Sequence, residues 1–131
     1  MRRSRAKTPH GRKTRDRLTK VCLALPEATE SSHGQRSAFL VRSKKFAYHL
    51  DDHHGDGRIA VCFRAPPGEN TTLVAADPVR FYVPPYIGPR GWAGLYLDVG
   101  RVDWDEVTEL VVDSYLLIAP KRLAALVDAT T

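Results

Sequence analysis

The chain holds two cysteines, a single methionine and no unbroken apolar run of membrane length, and only one acid among its first twenty residues. Cys22 and Cys62 lie among apolar neighbours, and neither belongs to a CxxC or Cys/His spacing. Structural zinc is therefore not expected, and the pair reads as two reduced core thiols suited to a reducing compartment. The longest apolar stretch, over residues 110–119, is interrupted by Asp113 and Ser114 and falls short of the ~20 residues that cross a bilayer. No hydrophobic segment follows the positive N-terminus, which excludes a secretory signal in these residues. The same segment is Arg-rich and acid-poor like a transit peptide, but Thr8, Pro9, His10 and Gly11 are expected to break an amphipathic helix there; a cytoplasmic location is the expectation. There is neither a GxSxG elbow nor a glycine-rich phosphate loop. No catalytic residue, cofactor or metal is expected, and the protein reads as a binding module more than an enzyme.

What is present is charge, unevenly placed. The net charge is +5 over 131 residues. Residues 1–20 carry Arg2, Arg3, Arg5, Lys7, Arg12, Lys13, Arg15, Arg17 and Lys20 against Asp16, a local +8; the remaining eleven Lys/Arg and fourteen Asp/Glu leave −3. The basic character thus belongs to an N-terminal arm, which attracts polyanions by counterion release and carries little sequence selectivity.

With 43% hydrophobic and 27% charged residues, the chain fits one globular domain. Residues 1–13 show no apolar periodicity and read as a flexible basic arm, with a single domain over 14–131. From Arg15, the spacing of Leu18, Val21, Cys22 and Leu25 predicts a helix stopped by Pro26. Alternation then predicts three strands: Phe39 with Val41; Phe46, Tyr48 and Leu50; and Ile59, Val61 and Phe63. Polar turns at 42–44 and 51–57 connect them into an antiparallel meander with one face on a core. A short helix over 69–76, a strand over 79–83, a rigid Pro/Gly loop over 84–91 and a strand over 92–98 follow. Asp103 and Glu106 form a capping-box-like start for a helix that buries Val107, Leu110, Val111 and Ile118. Pro120 suits the first turn of a last helix carrying Leu123, Leu126 and Val127.

The 42–45 turn places Arg42, Lys44 and Lys45 at a hairpin tip, where cations can contact phosphates or simply discourage edge pairing. The 51–57 turn holds Asp51, Asp52 and Asp56, which would repel a phosphate backbone. His49, His53 and His54 beside these acids are types that bind borderline divalent ions, but a flexible turn fixes no ligand geometry, so a solvated turn is expected. Arg90 lies between Tyr86 and Trp92. That combination suits stacking on an unpaired base, while Trp92 itself is expected to anchor the loop to the core.

Leu25-Pro26-Glu27-Ala28-Thr29-Glu30 closing the first helix, His33-Gly34, Lys44-Lys45-Phe46-Ala47, Trp92 leading into Leu95-Tyr96-Leu97-Asp98, and Ser114-Tyr115 occur in an order that resembles the MmcQ/YjbR-like family of small bacterial domains. The resemblance spans residues 18–126 and leaves out the arm. It implies an α+β fold, with a twisted antiparallel sheet packed against helices from both ends of the chain, and two β-hairpins likened to a double wing that binds DNA. Fold alone does not establish that function, and no catalytic residues carry over. His33, Ser114 and Tyr115 occupy family-motif positions and, with Trp92, are candidates for a small pocket. The leading expectation is non-enzymatic DNA binding of low specificity through Arg2, Arg3, Arg5, Lys7, Arg12, Lys13, Arg15, Arg42, Lys44, Lys45 and Arg90. The alternative is a small-ligand or protein-interaction module without a nucleic-acid role.

Overall fold

The computed structural model describes residues 9–52 and 55–130, with side chains described through Val127. Helix α1 (Pro9–Leu23) leads into strands β1 (Thr29–His33), β2 (Arg36–Val41), β3 (Lys44–Asp51) and β4 (Ile59–Arg64). Helix α2 (Glu69–Ala76), the two-residue strand β5 (Phe81–Tyr82), a 3-10 turn (Gly88–Arg90) and β6 (Trp92–Tyr96) follow, then α3 (Trp104–Ile118) and α4 (Lys121–Thr130). The strands form one antiparallel sheet in the order β1-β2-β3-β4-β6-β5. This is the expected α+β architecture, with helices from both ends of the chain on one face.

The register assigns every side chain to a face, because directly paired residues point to the same side. Phe39, Ala47, Phe63 and Ala93 form one row, and Ser37, His49, Val61, Leu95 and Phe81 the next. Both rows lie under the helices, against Leu18 and Cys22 of α1, Val107, Val111 and Tyr115 of α3, and Leu123 and Val127 of α4. The opposite face carries Ala38, Tyr48, Cys62, Gly94 and Tyr82 in one row, with Arg36, Leu50, Ala60 and Tyr96 beside it.

Several expectations change. The alternation of Phe46, Tyr48 and Leu50 does not hold one face, because the β2–β3 register shifts between Phe39 and Leu40. The extra residue, Phe46, turns toward the helices beside Ala47 and meets Tyr115 edge-on at 5.4 Å, leaving Tyr48 and Leu50 on the other side. The segment over residues 9–13 is not an irregular arm. Proline is tolerated at the first position of a helix, where its missing N–H costs nothing, and Gly11 lies buried within α1. Strand β1 was not foreseen, since Thr29-Glu30-Ser31-Ser32-His33 has no apolar alternation; an edge strand needs only its backbone pairing to β2. The expected strand over 79–83 shrinks to two residues, with Val79 and Val83 exposed. Asp103 caps α3 by accepting from the N–H groups of Asp105 and Glu106, but the Glu106 carboxylate binds Arg80 at 2.7 Å and does not complete the box.

Candidate binding face of the sheet

Among the described residues, the buried polar side chains of the helix-covered face are all hydrogen-bonded. Ser114 is fully buried; its hydroxyl donates to the Phe46 carbonyl at 2.6 Å and accepts from the Arg64 N–H at 2.8 Å. The bulge exposes these two backbone groups, and the serine satisfies both, so its role is to join α3 to the ends of β3 and β4. The Tyr115 hydroxyl donates to the Pro26 carbonyl at 2.7 Å. His33 is exposed at the end of the edge strand, and Trp92 is buried on the opposite face between Tyr48 and Arg64. The four candidate pocket residues are therefore placed apart.

His49 points under the helices and not into the acidic turn. Its Nε2 lies 2.8 Å from the Thr14 hydroxyl, which itself donates to the Gly11 carbonyl. The imidazole must then donate from Nε2 and is held neutral; burial first, then the nearby Arg15 and His10, push its pKa down to about 3. His53 and His54 lie outside the described residues, and among those described no group of three His, Cys, Asp or Glu could hold a metal ion.

The cations divide into separate places. Arg2, Arg3, Arg5 and Lys7 lie outside the described residues. Arg12 and Lys13 are exposed on α1, while Arg15 is mostly covered and lies 3.4 Å from Asp16. The start of α1 sits by Leu97, to whose carbonyl His10 is joined at 3.0 Å, at the end of the sheet that also holds the acidic β3–β4 turn. The 42–45 turn lies at the other end of β3, roughly 20 Å away at ~3.3 Å per residue. The two turns weighed as wings therefore project from opposite ends of one strand. Within the 42–45 turn, Arg42 is held by Glu27 through bonds of 2.7 and 3.3 Å, and Arg122 shares the same carboxylate. The Arg42 bond holds the Glu27 carboxyl below the usual range.

Lys44 and Lys45 open β3 and are exposed; Arg64 closes β4 and lies over Trp92, 5.1 Å from the ring centre, with its Nε donating to the Lys45 carbonyl at 2.7 Å. Arg90 is exposed two residues before Trp92, which pairs with Arg64. Antiparallel pairing thus gathers Lys44, Lys45, Arg64 and Arg90 at one end of the sheet. Arg64 escaped notice in the sequence because it follows an apolar strand; its pairing with Trp92 depends on β4–β6 register, which no local signal reveals.

The helix-free face continues with arginines laid on aromatic rings. Arg36 lies 5.4 Å from the centre of the Tyr48 ring and Arg58 3.6 Å from that of Tyr96. Arg58 is also clamped by Asp98 at 2.8 and 3.1 Å. Tyr82 stacks on Tyr96 at 4.5 Å and lies directly over Gly94, where a Cβ would come within 2.3 Å of its ring. Glycine at 94 is what lets the ring lie flat on the sheet. Between this floor and the 84–87 loop is a cleft of about 390 Å³.

With this geometry established, comparison with known proteins decides the family. The YjbR family profile matches residues 23–117. The chain belongs to the YjbR family. The YjbR fold is also seen in the crystal structure of Deinococcus radiodurans protein DR2400, which carries a DUF419 domain and is 24% identical; the likeness covers 81% of this chain and 78% of that one, with a TM-score of 0.67. No curated protein matches the sequence. Among the described residues, no helix of this YjbR protein is long and apolar enough to cross a membrane.

Proposed function

We propose that this YjbR protein is a non-enzymatic, low-specificity DNA-binding domain that receives the phosphate backbone at the sheet end formed by Lys44, Lys45, Arg64 and Arg90. The observation that carries the reading is the convergence of these four cations from β3, β4 and the turn before β6. Among the described residues none of the four forms an ion pair, whereas Arg42, Arg58, Arg80 and Arg122 each bind a carboxylate. Lys44, Lys45 and Arg90 are exposed and Arg64 partly so, and cations outside a salt bridge can exchange counterions for phosphates without first breaking one. Arg42 contributes less than its place at the tip suggests, since its guanidinium is already committed to Glu27. The non-enzymatic part of the proposal is supported by two buried groups: the Ser114 hydroxyl donates its proton to the Phe46 carbonyl, and burial pushes the Cys62 thiol up to about 11, away from a nucleophilic thiolate.

Fluorescence anisotropy with labelled duplex and single-stranded DNA of equal length tests the proposal. Binding at low salt that weakens on Lys45→Gln and Arg64→Gln is expected. Absence of binding at low salt to either form contradicts it.

A further inference from the structure

The cleft on the helix-free face is built differently from the basic sheet end. Its walls are Tyr48, Leu50, Tyr82, Pro84, Pro85 and Ile87, with Tyr86 at the mouth and, among the described residues, two charged groups, Arg36 and Asp56. Its volume of about 390 Å³ lies within the range typical of small-ligand sites, ~300–1,000 Å³. It is too confined for a duplex and amply large for one aromatic ring system.

The state of Arg36 is the informative feature. Its side chain is half-buried and rests on Tyr48, yet among the described residues its guanidinium donates to no protein acceptor. A guanidinium fixed by a ring and lining a cavity presents its fork of N–H donors to whatever enters, and that fork fits a carboxylate or phosphate. Tyr48 is itself fixed from the other side by Trp92 at 5.2 Å. Tyr82 is held by its stack on Tyr96 and by the bare backbone of Gly94. The aromatic walls are therefore set before any ligand arrives, which lowers the ordering cost of binding. Tyr86 is 88% exposed and is carried at the mouth by the 84–87 turn, where Ile87 and Gly88 donate to the carbonyls of Pro85 and Pro84 at 2.8 and 2.9 Å. An exposed ring on a proline-stiffened turn can cover a planar ligand with little entropic loss. Asp56 adds one acceptor, since a single one of its oxygens takes the Arg58 N–H at 2.9 Å. The floor is Cys62, bonded to the Tyr82 hydroxyl at 3.4 Å, and supplies no charge.

We infer that this cleft binds a small planar aromatic anion, with its carboxylate or phosphate on Arg36, its ring between the tyrosine walls, and an N–H edge, where it has one, toward Asp56. Free nucleotides and aromatic carboxylates share this chemistry. The inference uses none of the four cations assigned to DNA, so either reading can fail without the other.

Isothermal titration calorimetry and amide chemical-shift mapping of the full chain test it with two sets of probes. One set is the adenosine, guanosine, cytidine and uridine 5′-monophosphates; the other is benzoate and indole-3-carboxylate. Inorganic phosphate and adenosine serve as the halves of a nucleotide. At least one anion should bind saturably and shift the amides of Arg36, Leu50, Cys62, Tyr82 and Ile87, and the better set names the source. Phosphate and adenosine alone should bind at least tenfold more weakly than the nucleotide if nucleotides are the ligand. Arg36→Gln should weaken the best probe by about tenfold or more, the loss expected for a charge-assisted pair. Tyr86→Ala, at a site too exposed to affect folding, should weaken it several-fold. Neither change should alter the salt dependence of DNA binding. Failure of every probe to give a saturable shift at these amides overturns the inference, as does binding that survives both substitutions unchanged.

Discussion

Two buried polar side chains show what a single residue contributes. Ser114 satisfies a carbonyl and an N–H left open by the bulge at Phe46. Ser114→Ala strands the buried Phe46 carbonyl, at a cost of ~1–3 kcal/mol, while the part-buried Arg64 N–H can turn to water. We expect a loss of about 1–3 kcal/mol in urea denaturation; a variant as stable as the parent would mean that other groups satisfy the carbonyl. His49 predicts a pH effect. Its imidazole ionises near 6.5 when free and near 3 in the fold. Above pH 6.5 both states are neutral and its contribution to stability is fully present. Below that, the unfolded chain binds a proton that the folded one refuses, so stability falls as pH drops from 6.5 toward 3, by up to ~1.4 kcal/mol per unit. His49→Gln removes this slope. The stability gap between parent and variant should narrow from pH 7 to pH 4, and parallel curves would contradict the assignment. The sequence showed the serine's stripe position, but His49 was read with the acidic turn, because its partner Thr14 lies 35 residues away.

At the scale of elements, apolar periodicity revealed what packs against the core and little else. The centres of α3, β4 and β6 were legible from Val107 and Val111, from Ile59, Val61 and Phe63, and from Leu95. Strand β1 was invisible because its stability comes from backbone pairing to β2 alone. The first turns of α1 were hidden because Pro9 and Gly11 read as breakers, although proline is tolerated at a helix start. The bulge at Phe46 likewise depends on the partner strand. Hydrogen exchange should follow this division. Amides of β3, β4 and β6, paired on both sides, should be the most protected, while those of β1 and β5 at the sheet edges exchange fastest among strands. Protection of β1 equal to that of β4 would show that something covers the edge.

Across the whole molecule, the uneven charge seen in the sequence resolves into two places. The start of the basic helix α1 lies at the sheet end bearing the acidic turn, while Lys44, Lys45, Arg64 and Arg90 lie at the opposite end. Composition gave the total and the N-terminal bias. It could not show that Glu27 would neutralise Arg42 or that Arg64 would join the lysines, since both depend on contacts across the fold. The two contributions to the proposed DNA affinity are separable by salt, since each phosphate neutralised changes the slope of log affinity against log salt by ~0.9 on duplex DNA. The most direct measurement is that slope for the parent and for Lys44→Gln/Lys45→Gln/Arg90→Gln. If these three cations each meet a phosphate, the slope becomes shallower by ~2.7. An unchanged slope would place the contacts elsewhere on the chain and contradict the assignment of this sheet end as the DNA-binding surface.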